Sequence, residues 1–331
     1  MQKIEARYEI VTPMFIGGGD KEESPEIRPP SIKGALRFWW RALQWGSCLK
    51  EKDNDADNAL QLLHEQEAIL FGAAYRDDKY GQGLCTLKLK DVQIKGVETN
   101  WPSNNDAGAG FLGYGLDQTK MGDPHRKGIK EGQFTVCLML KNKINNEQKK
   151  QLENTLLIWG LLGGLGSRSR RGFGSVAIQS MDEQSFRFKQ PDDYYKSLRK
   201  LLNSCELAPE MPVFTALNKA MKIREANTGK DARKLMDKLG REYKEARKEA
   251  GAGLAKLPFG LPLAGNRGKS DEENRRSSPL FMHIHKIETQ CVAVVSFIPA
   301  DFHHKYRPEG QQLEFYAPLL TYMDTMAEVY P

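Results

Sequence analysis

Hydrophobic and polar residues follow regular periods along most of the first 180 residues. Residues 3–16 alternate and then become apolar before three glycines, which predicts a strand that leads into a loop. Pro29 and Pro30 stop the chain, and Ser31 is suited to cap a helix. That helix has its apolar residues at positions i, i+3, i+4 and i+7, which predicts that its buried side consists of Leu36, Trp39, Trp40 and Leu43.

The same reasoning predicts five further elements before residue 180. A helix lies around residues 59–71, and residues 84–95 and 132–140 alternate with the period of strands. A second long helix covers residues 147–162, and a strand covers 172–178. Residues 100–130 have no sustained period, and we interpret them as a long loop, which at this length is usually functional or mobile. The order of strand, helix, two strands, helix and strand predicts a ferredoxin-like or RNA-recognition-type domain over residues 1–185.

The second half of the chain is harder to interpret. It suggests a helix at 193–203, a long charged helix at 217–250 with a break near 227–229, and a closing helix within 309–329. Residues 280–287 and 291–298 form a predicted hairpin. We therefore expect an α+β fold with two ferredoxin-like domains, of which the second, residues 186–331, is degenerate and carries a long helical insertion.

Positive charge is unevenly distributed in this chain of 331 residues, whose formal net charge is only +6. Residues 28–50 contain five lysines and arginines and no acid, and residues 154–181 contain three arginines and no acid. On the first helix, Lys33, Arg37 and Arg41 form a basic stripe about 110° from the apolar one. This places the stripe at the rim of the core, where a polyanion could lie.

Residues 163–175 combine five glycines with three arginines, namely Gly163, Gly164, Gly166, Gly172 and Gly174 with Arg168, Arg170 and Arg171. Glycines allow backbone N–H groups to approach a polyanion, and arginine binds phosphate oxygens in pairs. The loop follows a helix and precedes a strand, which is the reverse of a P-loop or a dinucleotide fingerprint. It therefore suits a sugar-phosphate backbone, and the alternative is a glycine-rich turn whose arginines point into solvent.

The remaining chemistry predicts neither a metal nor a cofactor. Five cysteines are scattered without a Cys-x-x-Cys pair, which argues against a zinc site and favours a reducing compartment. No apolar run resembles a signal peptide or a membrane span, so we expect a cytoplasmic protein. The acids at Asp53, Asp55 and Asp57 lack the glycine and the glutamate that complete a calcium loop.

Histidines and loop aromatics offer two further possibilities. His125 lies beside Arg126 and Lys127 in the long loop, where it suits contact with RNA phosphates or general acid–base cleavage of RNA. His283 and His285 share one face of the predicted hairpin. Four aromatic residues in or near loops could stack on unpaired bases, namely Trp101, Phe111, Tyr114 and Phe173.

Three segments together resemble the RAMP superfamily of CRISPR proteins. They are Arg-Pro-Pro-Ser-Ile-Lys-Gly-Ala-Leu-Arg-Phe-Trp-Trp-Arg-Ala at 28–42, the glycine-rich loop at 163–175, and Arg-Arg-Ser-Ser-Pro-Leu at 275–280. More narrowly, they resemble the first RAMP subunit of the type III-B (Cmr) RNA-guided effector complex. The resemblance implies two ferredoxin-like domains and a non-catalytic, RNA-binding role in antiviral defence. It also implies a place at the end of the complex remote from the guide 5′ tag, where the subunit helps to capture target RNA.

Carried over residue by residue, the resemblance implies RNA contacts at Lys33, Arg37 and Arg41 on the helix, at the three arginines of the loop, and at Arg275 and Arg276. The implied partners are guide RNA, target RNA and the other RAMP subunits, in particular the neighbouring capping subunit. Two alternatives stay open. One is a metal-independent RAMP endoribonuclease that processes guide RNA through His125 or the His283 and His285 pair, and the other is an architectural protein that barely touches RNA.

Overall fold

The first half of the chain folds into a five-stranded antiparallel sheet with helices packed against it. A computed structural model of the chain describes residues 2–17, 24–73, 81–103, 105–116, 127–260, 276–301 and 313–331. The elements up to residue 185 are β1 (Gln2–Ile10), α1 (Pro29–Glu51), α2 (Ala56–Phe71), β2 (Cys85–Glu98), α3 (Ala107–Leu112), β3 (Gly128–Leu140), α4 (Asn146–Leu162), β4 (Val176–Met181) and β5 (Gln184–Ser185).

The strand order of this sheet is β2-β3-β1-β4-β5, and every pair is antiparallel. The first four strands have the order of a ferredoxin-like sheet, which confirms the predicted fold. Alternate residues of β1, among them Ile4, Tyr8 and Ile10, are buried, while Lys3 is exposed. This alternation follows from the period of two in a strand whose one face covers a core.

Helix α1 begins three residues earlier than the sequence pattern predicts. Pro29 is its first residue and Arg28 is its N-cap, so Ser31 lies inside the first turn. Proline is tolerated there because the first N–H groups of a helix have no partner within it. Trp39 and Trp40 are buried as predicted.

The second half repeats the arrangement of the first. Its strand order is β7-β8-β6-β9, again antiparallel, which confirms a second ferredoxin-like sheet. Its last helix and last strand are short, at seven and four residues. The elements are α5 (Pro191–Asn203), β6 (Lys222–Gly229), α6 (Ala232–Glu249), β7 (Leu280–Lys286), β8 (Cys291–Phe297), α7 (Ala317–Met323) and β9 (Ala327–Tyr330), with 3₁₀ turns at Gly253–Phe259 and Glu314–Tyr316.

The predicted helix at 217–250 is wrong over its first part. Residues 222–229 form β6, which pairs with β8 and β9 inside the second sheet. The helix begins only after Asp231, whose carboxylate accepts hydrogen bonds from the N–H groups of Arg233 and Lys234. The charged residues of β6 match a helical period as well as a strand period, so tertiary pairing decided the outcome. Similarly, the predicted closing helix is divided into α7 and β9.

The two halves are packed against each other through shared cores. One buried cluster joins Tyr8 and Trp159 of the first half with Val292 and Val294 of β8. The division at residues 185 and 186 remains a prediction. A second cluster brings Phe173 of the glycine-rich loop to residues of α6. The glycine-rich loop therefore lies where the two halves meet.

The predicted long loop at 100–130 contains a short helix, α3, that docks on α6. Close contact is possible because glycines face each other: a Cβ on Gly240 would lie 2.1 Å from the carbonyl oxygen of Gly108. The Gly108 N–H group donates to Asp237 Oδ1 at 2.8 Å. Within the described ranges, no helix is both long enough and apolar enough to cross a bilayer.

Candidate nucleic-acid interface

The glycine-rich loop at 163–175 folds back on itself between α4 and β4. The Leu165 N–H group donates to the Gly174 carbonyl at 2.9 Å, and Gly164 pairs with Ser175. Gly174 has a φ of +60°, and a Cβ there would lie 2.1 Å from the Leu165 carbonyl oxygen. Only glycine accommodates both the positive φ and this contact. The glycines therefore determine how tightly the loop closes.

The loop is also bound to the end of β1. The Gly174 N–H group donates to the Pro13 carbonyl at 2.9 Å, and the Thr12 hydroxyl donates to the Gly172 carbonyl at 2.6 Å. The Ser175 N–H group donates back to the Thr12 Oγ1 at 2.9 Å. We expected the backbone N–H groups of this loop to approach a polyanion. At these positions they instead donate hydrogen bonds to acceptors within the protein. Of the three arginines of the loop, Arg168 is exposed, whereas Arg170 and Arg171 are partly buried.

Arg168 is the exposed arginine of the loop. It adopts a φ of +60°, and its guanidinium donates a short hydrogen bond to the Tyr114 carbonyl oxygen. The Tyr114 side chain is 78% exposed. Partial burial lowers the pKa of Arg168, and the positive charge of Arg171 contributes to the same shift. The hydrogen bond therefore fixes the Arg168 cation to the backbone of an exposed aromatic residue.

Arg170 lies between two aromatic rings from different halves of the chain. Its guanidinium carbon is 5.1 Å from the ring centre of Phe38 on α1 and 4.5 Å from that of Phe281 on β7. Its carbonyl oxygen accepts a 3.0 Å hydrogen bond from the Met282 N–H group. Burial lowers the pKa of Arg170 to about 10, and the nearby charges of Arg276 and Arg171 act in the same direction.

Arg171 and Arg276 complete a group with Arg170 that we call the arginine cluster. The Arg171 guanidinium lies 4.7 Å from the ring centre of Tyr243. Its Nη1 atom is buried and has no hydrogen-bond partner in the part of the chain that the structure describes. Arg276 donates to the carbonyl oxygen of Asp301 at 2.8 Å. The contacts described for the three guanidinium groups therefore include aromatic rings, a main-chain carbonyl and the side chain of Tyr316.

The basic stripe of α1 is turned towards α2. Arg37 Nε and Arg41 Nη1 lie 2.6 Å and 2.8 Å from the same oxygen of Glu67, which is buried. Both arginines remain about one-third exposed. Sequence reasoning missed this partner, although Glu67 falls on the apolar side of α2 with Leu63, which is an unusual place for an acid.

Lys33 is half-buried on α1 and lies near Cys85 at the start of β2. Burial raises the pKa of the Cys85 thiol to about 11, and the positive charge of Lys33 acts in the opposite direction. The structure thus joins the glycine-rich loop to α1 at Phe38, whereas Arg37 and Arg41 face Glu67. Lys127 is exposed directly before β3. The predicted contacts His125, Arg126 and Arg275 lie outside the described residues.

The four predicted stacking residues have different environments. Phe173 and Trp101 are buried in the second core, so they are closed to an RNA base. Phe111 packs against Tyr243 with a ring-centre distance of 6.1 Å. Of these four residues only Tyr114 is exposed, and its carbonyl oxygen accepts a hydrogen bond from Arg168.

The two histidines of β7 are buried between the halves of the chain. The His283 Nδ1 atom lies 2.9 Å from the Gly163 carbonyl oxygen, and its Nε2 atom lies 3.2 Å from His285 Nδ1. The His285 ring stacks on Tyr194 with a ring-centre distance of 4.2 Å. A general acid or base must reach its substrate. In this structure both imidazole rings are enclosed, so an RNA strand does not reach them.

Burial of this histidine pair makes the free energy of unfolding depend on pH. Burial lowers the pKa of His283 to about 3 and, together with the charge of His283, lowers the pKa of His285 as well. An unfolded histidine has a pKa near 6.5, so the unfolded chain binds more protons below that pH. The free energy of unfolding should therefore fall as the pH drops from about 6.5 towards 3, by up to about 1.4 kcal/mol per pH unit for each histidine.

The variant His285→Phe keeps a ring against Tyr194 but removes one titrating group. Urea unfolding at several pH values should show a shallower dependence for the variant, by up to about 1.4 kcal/mol per pH unit below pH 6. Carboxylates titrate equally in both proteins, so the difference isolates the histidine. An unchanged slope would mean that the pair is accessible to protons in the folded chain.

Metal-binding chemistry finds no support in the described part of the chain. It contains no group of three or more histidines, cysteines, aspartates or glutamates that could hold an ion. All five cysteines are free thiols, and burial raises the pKa of Cys48 to about 12.

Comparison with known proteins connects this architecture to one family. The family model of the RAMP superfamily matches residues 7–177. The CRISPR system Cmr subunit Cmr1-1 of Pyrococcus furiosus is 28% identical over 310 residues, which cover 86% of this chain and 84% of that protein. Cmr subunit Cmr1-2 of the same organism is 26% identical over 188 residues, which cover 53% of this chain and 94% of that protein.

Solved structures show the same fold. The crystal structure of Cmr1 from Pyrococcus furiosus in its apo form has a TM-score of 0.67 and 22% identity, and the alignment covers 100% of this chain and 99% of that one. A chain of the cryo-EM structure of the type III-B Cmr-beta bound to cognate target RNA has a TM-score of 0.58 and 14% identity, with 97% and 99% covered. The family match and the two sheets agree, and the chain belongs to the RAMP superfamily.

Proposed function

We propose that this chain is a non-catalytic, RNA-binding subunit of a type III-B CRISPR effector complex. The relatives that share most of its length are named as Cmr subunits, and a chain of similar fold belongs to a complex described as bound to cognate target RNA. Within that complex the subunit would lie at the end remote from the guide 5′ tag, beside the capping RAMP subunit. There it would help to capture target RNA. The complex would act in the cytoplasm, where free thiols stay reduced.

The arginine cluster is the observation that carries this proposal. Three guanidinium groups from both halves of the chain meet, and Arg170 is largely buried, so their mutual repulsion is poorly screened. Rings and a carbonyl group offset this charge only in part, whereas each backbone phosphate carries a full negative charge and accepts paired hydrogen bonds. An RNA backbone supplies such phosphates whatever its sequence, and guide-to-target pairing would supply specificity.

Tyr114 gives the proposed site a second contact with RNA. Its ring is 78% exposed, and its carbonyl group holds the Arg168 guanidinium. A base that stacks on this ring would place its phosphate near Arg168. The variant Tyr114→Ala should weaken binding of single-stranded RNA by about tenfold, within the ~1–3 kcal/mol expected per stacked base. Fluorescence anisotropy measures this, and Tyr114→Phe, which keeps the ring, should bind like the parent chain.

The proposal is tested with the purified chain, single-stranded RNAs of unrelated sequence, and EDTA. We expect salt-dependent binding of comparable strength to each RNA, with the RNA recovered intact. Cleavage of repeat RNA at a constant position, lost on His125→Ala, would instead favour the processing endoribonuclease. Absence of RNA crosslinks to this chain in the assembled complex would favour the architectural alternative. Either result would overturn the proposal.

A further inference from the structure

A groove between α6 and α7 on the second half of the chain is lined by apolar and acidic residues, in contrast to the arginine cluster. Its volume is 630 Å³. The floor is formed by small or apolar residues, namely Ala226, Ala246, Ala250, Pro318, Tyr322 and Met326. Alanines at the floor leave space for the side chains of another molecule, because they fill little of the groove themselves.

The rim of the groove is acidic. Glu242, Glu245 and Glu249 line it, and none of the described lining residues is a lysine, arginine or histidine. Two of these glutamates have an exposed lysine nearby: Lys238 lies 3.9 Å from Glu242, and Lys248 lies 3.4 Å from Glu245. Exposed pairs of this kind contribute little and stay exchangeable, so the carboxylates remain available to cations of another molecule. The charged residues that line the groove are thus all acidic, on a chain whose formal net charge is +6.

The charge of the groove decides its class of occupant. Three carboxylates repel a nucleic-acid backbone, which favours a protein over RNA as the ligand. The apolar floor suits aliphatic side chains, and the walls are two helices rather than an open strand edge, which fits a helix laid into a groove. We propose that this groove docks a helix of another protein, with aliphatic residues on one face flanked by lysine or arginine.

The groove and the arginine cluster share helix α6. Tyr243 of that helix contacts the Arg171 guanidinium at 4.7 Å and the ring of Tyr322, a floor residue of the groove, at 5.9 Å. The same helix thus supports RNA contacts through Tyr243 and presents Glu245 and Glu249 to a protein neighbour. A subunit built in this way connects an RNA strand to an adjacent subunit through a single rigid element.

The first test is a photo-crosslink. With p-benzoylphenylalanine in place of Thr321, an exposed residue that lines the groove without forming its floor, irradiation of the complete complex should give a crosslink to another protein chain. The crosslinked peptide should carry aliphatic residues and lysine or arginine at helical spacing. A crosslink to RNA, to a second copy of this chain or to a protein segment without basic residues would overturn the proposal, and so would the absence of any protein crosslink.

The second test measures assembly with the remaining subunits and their guide RNA as the probe. Glu249→Lys should weaken incorporation of this chain at least tenfold, because it reverses a charge at the rim. The variant should fold, since a lysine at the C-terminal end of α6 is favourable to the helix dipole. Ala246→Phe, which fills the groove, should act in the same way.

Glu183→Lys makes the same charge change in an exposed turn between β4 and β5, and it should assemble normally. RNA binding by the isolated Glu249→Lys chain is measured in parallel and should not decrease. Equal assembly of Glu249→Lys and Glu183→Lys would refute the docking proposal. The proposed RNA-binding function would be refuted separately, by an isolated parent chain that fails to bind RNA.

Discussion

Replacement of Arg168, Arg170 and Arg171 by alanine is expected to weaken binding of single-stranded RNA on the order of 100-fold at low salt, from the loss of several charge-assisted hydrogen bonds. The loss should be similar for unrelated sequences, because phosphate contacts carry no sequence information. A plot of log K against log salt concentration should become shallower by about 2, since each phosphate contact contributes ~0.7 on single strands. Fluorescence anisotropy over a range of salt concentrations measures both quantities.

The matched control removes the same charge elsewhere. Lys234, Lys244 and Lys248 lie on the solvated side of α6, and their triple replacement by alanine also lowers the net charge by three. It should leave the salt slope much closer to that of the parent chain. Equal slopes for the two triple variants would show that only total charge matters and would remove the assignment to the loop.

Arg170→Lys separates charge from geometry. Lysine keeps the positive charge but lacks the planar group that lies between Phe38 and Phe281. We expect this variant to lose part of the affinity while the salt slope changes little. Thermal unfolding of each variant monitors the packing that the arginine side chain contributes.

The second large effect is expected from Gly174→Ala, which should lower the free energy of unfolding by about 3 kcal/mol. A Cβ at this position would lie 2.1 Å from the Leu165 carbonyl oxygen, and the backbone φ of +60° is itself costly for alanine. The loop must therefore open, which breaks its hydrogen bond to Pro13 and displaces the arginines. Urea unfolding measures the loss of stability, and RNA binding should fall with it.

Gly34→Ala is the control for this change. Gly34 lies within α1, and a Cβ there would have no atom within 4 Å. Alanine is a better helix former than glycine, so this variant should gain about 0.5–1 kcal/mol. Opposite signs for the two glycine variants are the expected result. A neutral Gly174→Ala would mean that the loop is not closed by the contacts described.

The second half shows where sequence periodicity reached its limit. The hairpin of β7 and β8 was predicted within one residue at each end. β8 is apolar and rich in valine, β7 begins with three apolar residues, and polar turn residues separate the two strands. β6 was missed, since its Lys-Ile-Arg-Glu-Ala-Asn-Thr-Gly sequence has only a weak period of two. Such a strand exists because β8 and β9 hydrogen-bond to both of its edges.

The site was predicted in its residue types and only partly in its geometry. The concentration of glycine and arginine at 163–175 indicated a place where backbone and cations meet, and this is where Arg170 and Arg276 come together. The pairing of Arg37 and Arg41 with Glu67 was hidden, because Glu67 is 26 residues beyond Arg41 and on another helix. Likewise, the enclosure of His283 and His285 depends on α5 and the end of α4.

By itself, the sequence determined the class of fold, most element positions, the family resemblance and the residues that carry the positive charge. These properties depend on local periods, turn chemistry and composition, all of which are read along the chain. The tertiary structure alone decided which cations face carboxylates, which face aromatic rings, and that an acidic groove lies beside α7. Those outcomes depend on contacts between residues far apart in the chain, and burial at such contacts sets the strength of each charge.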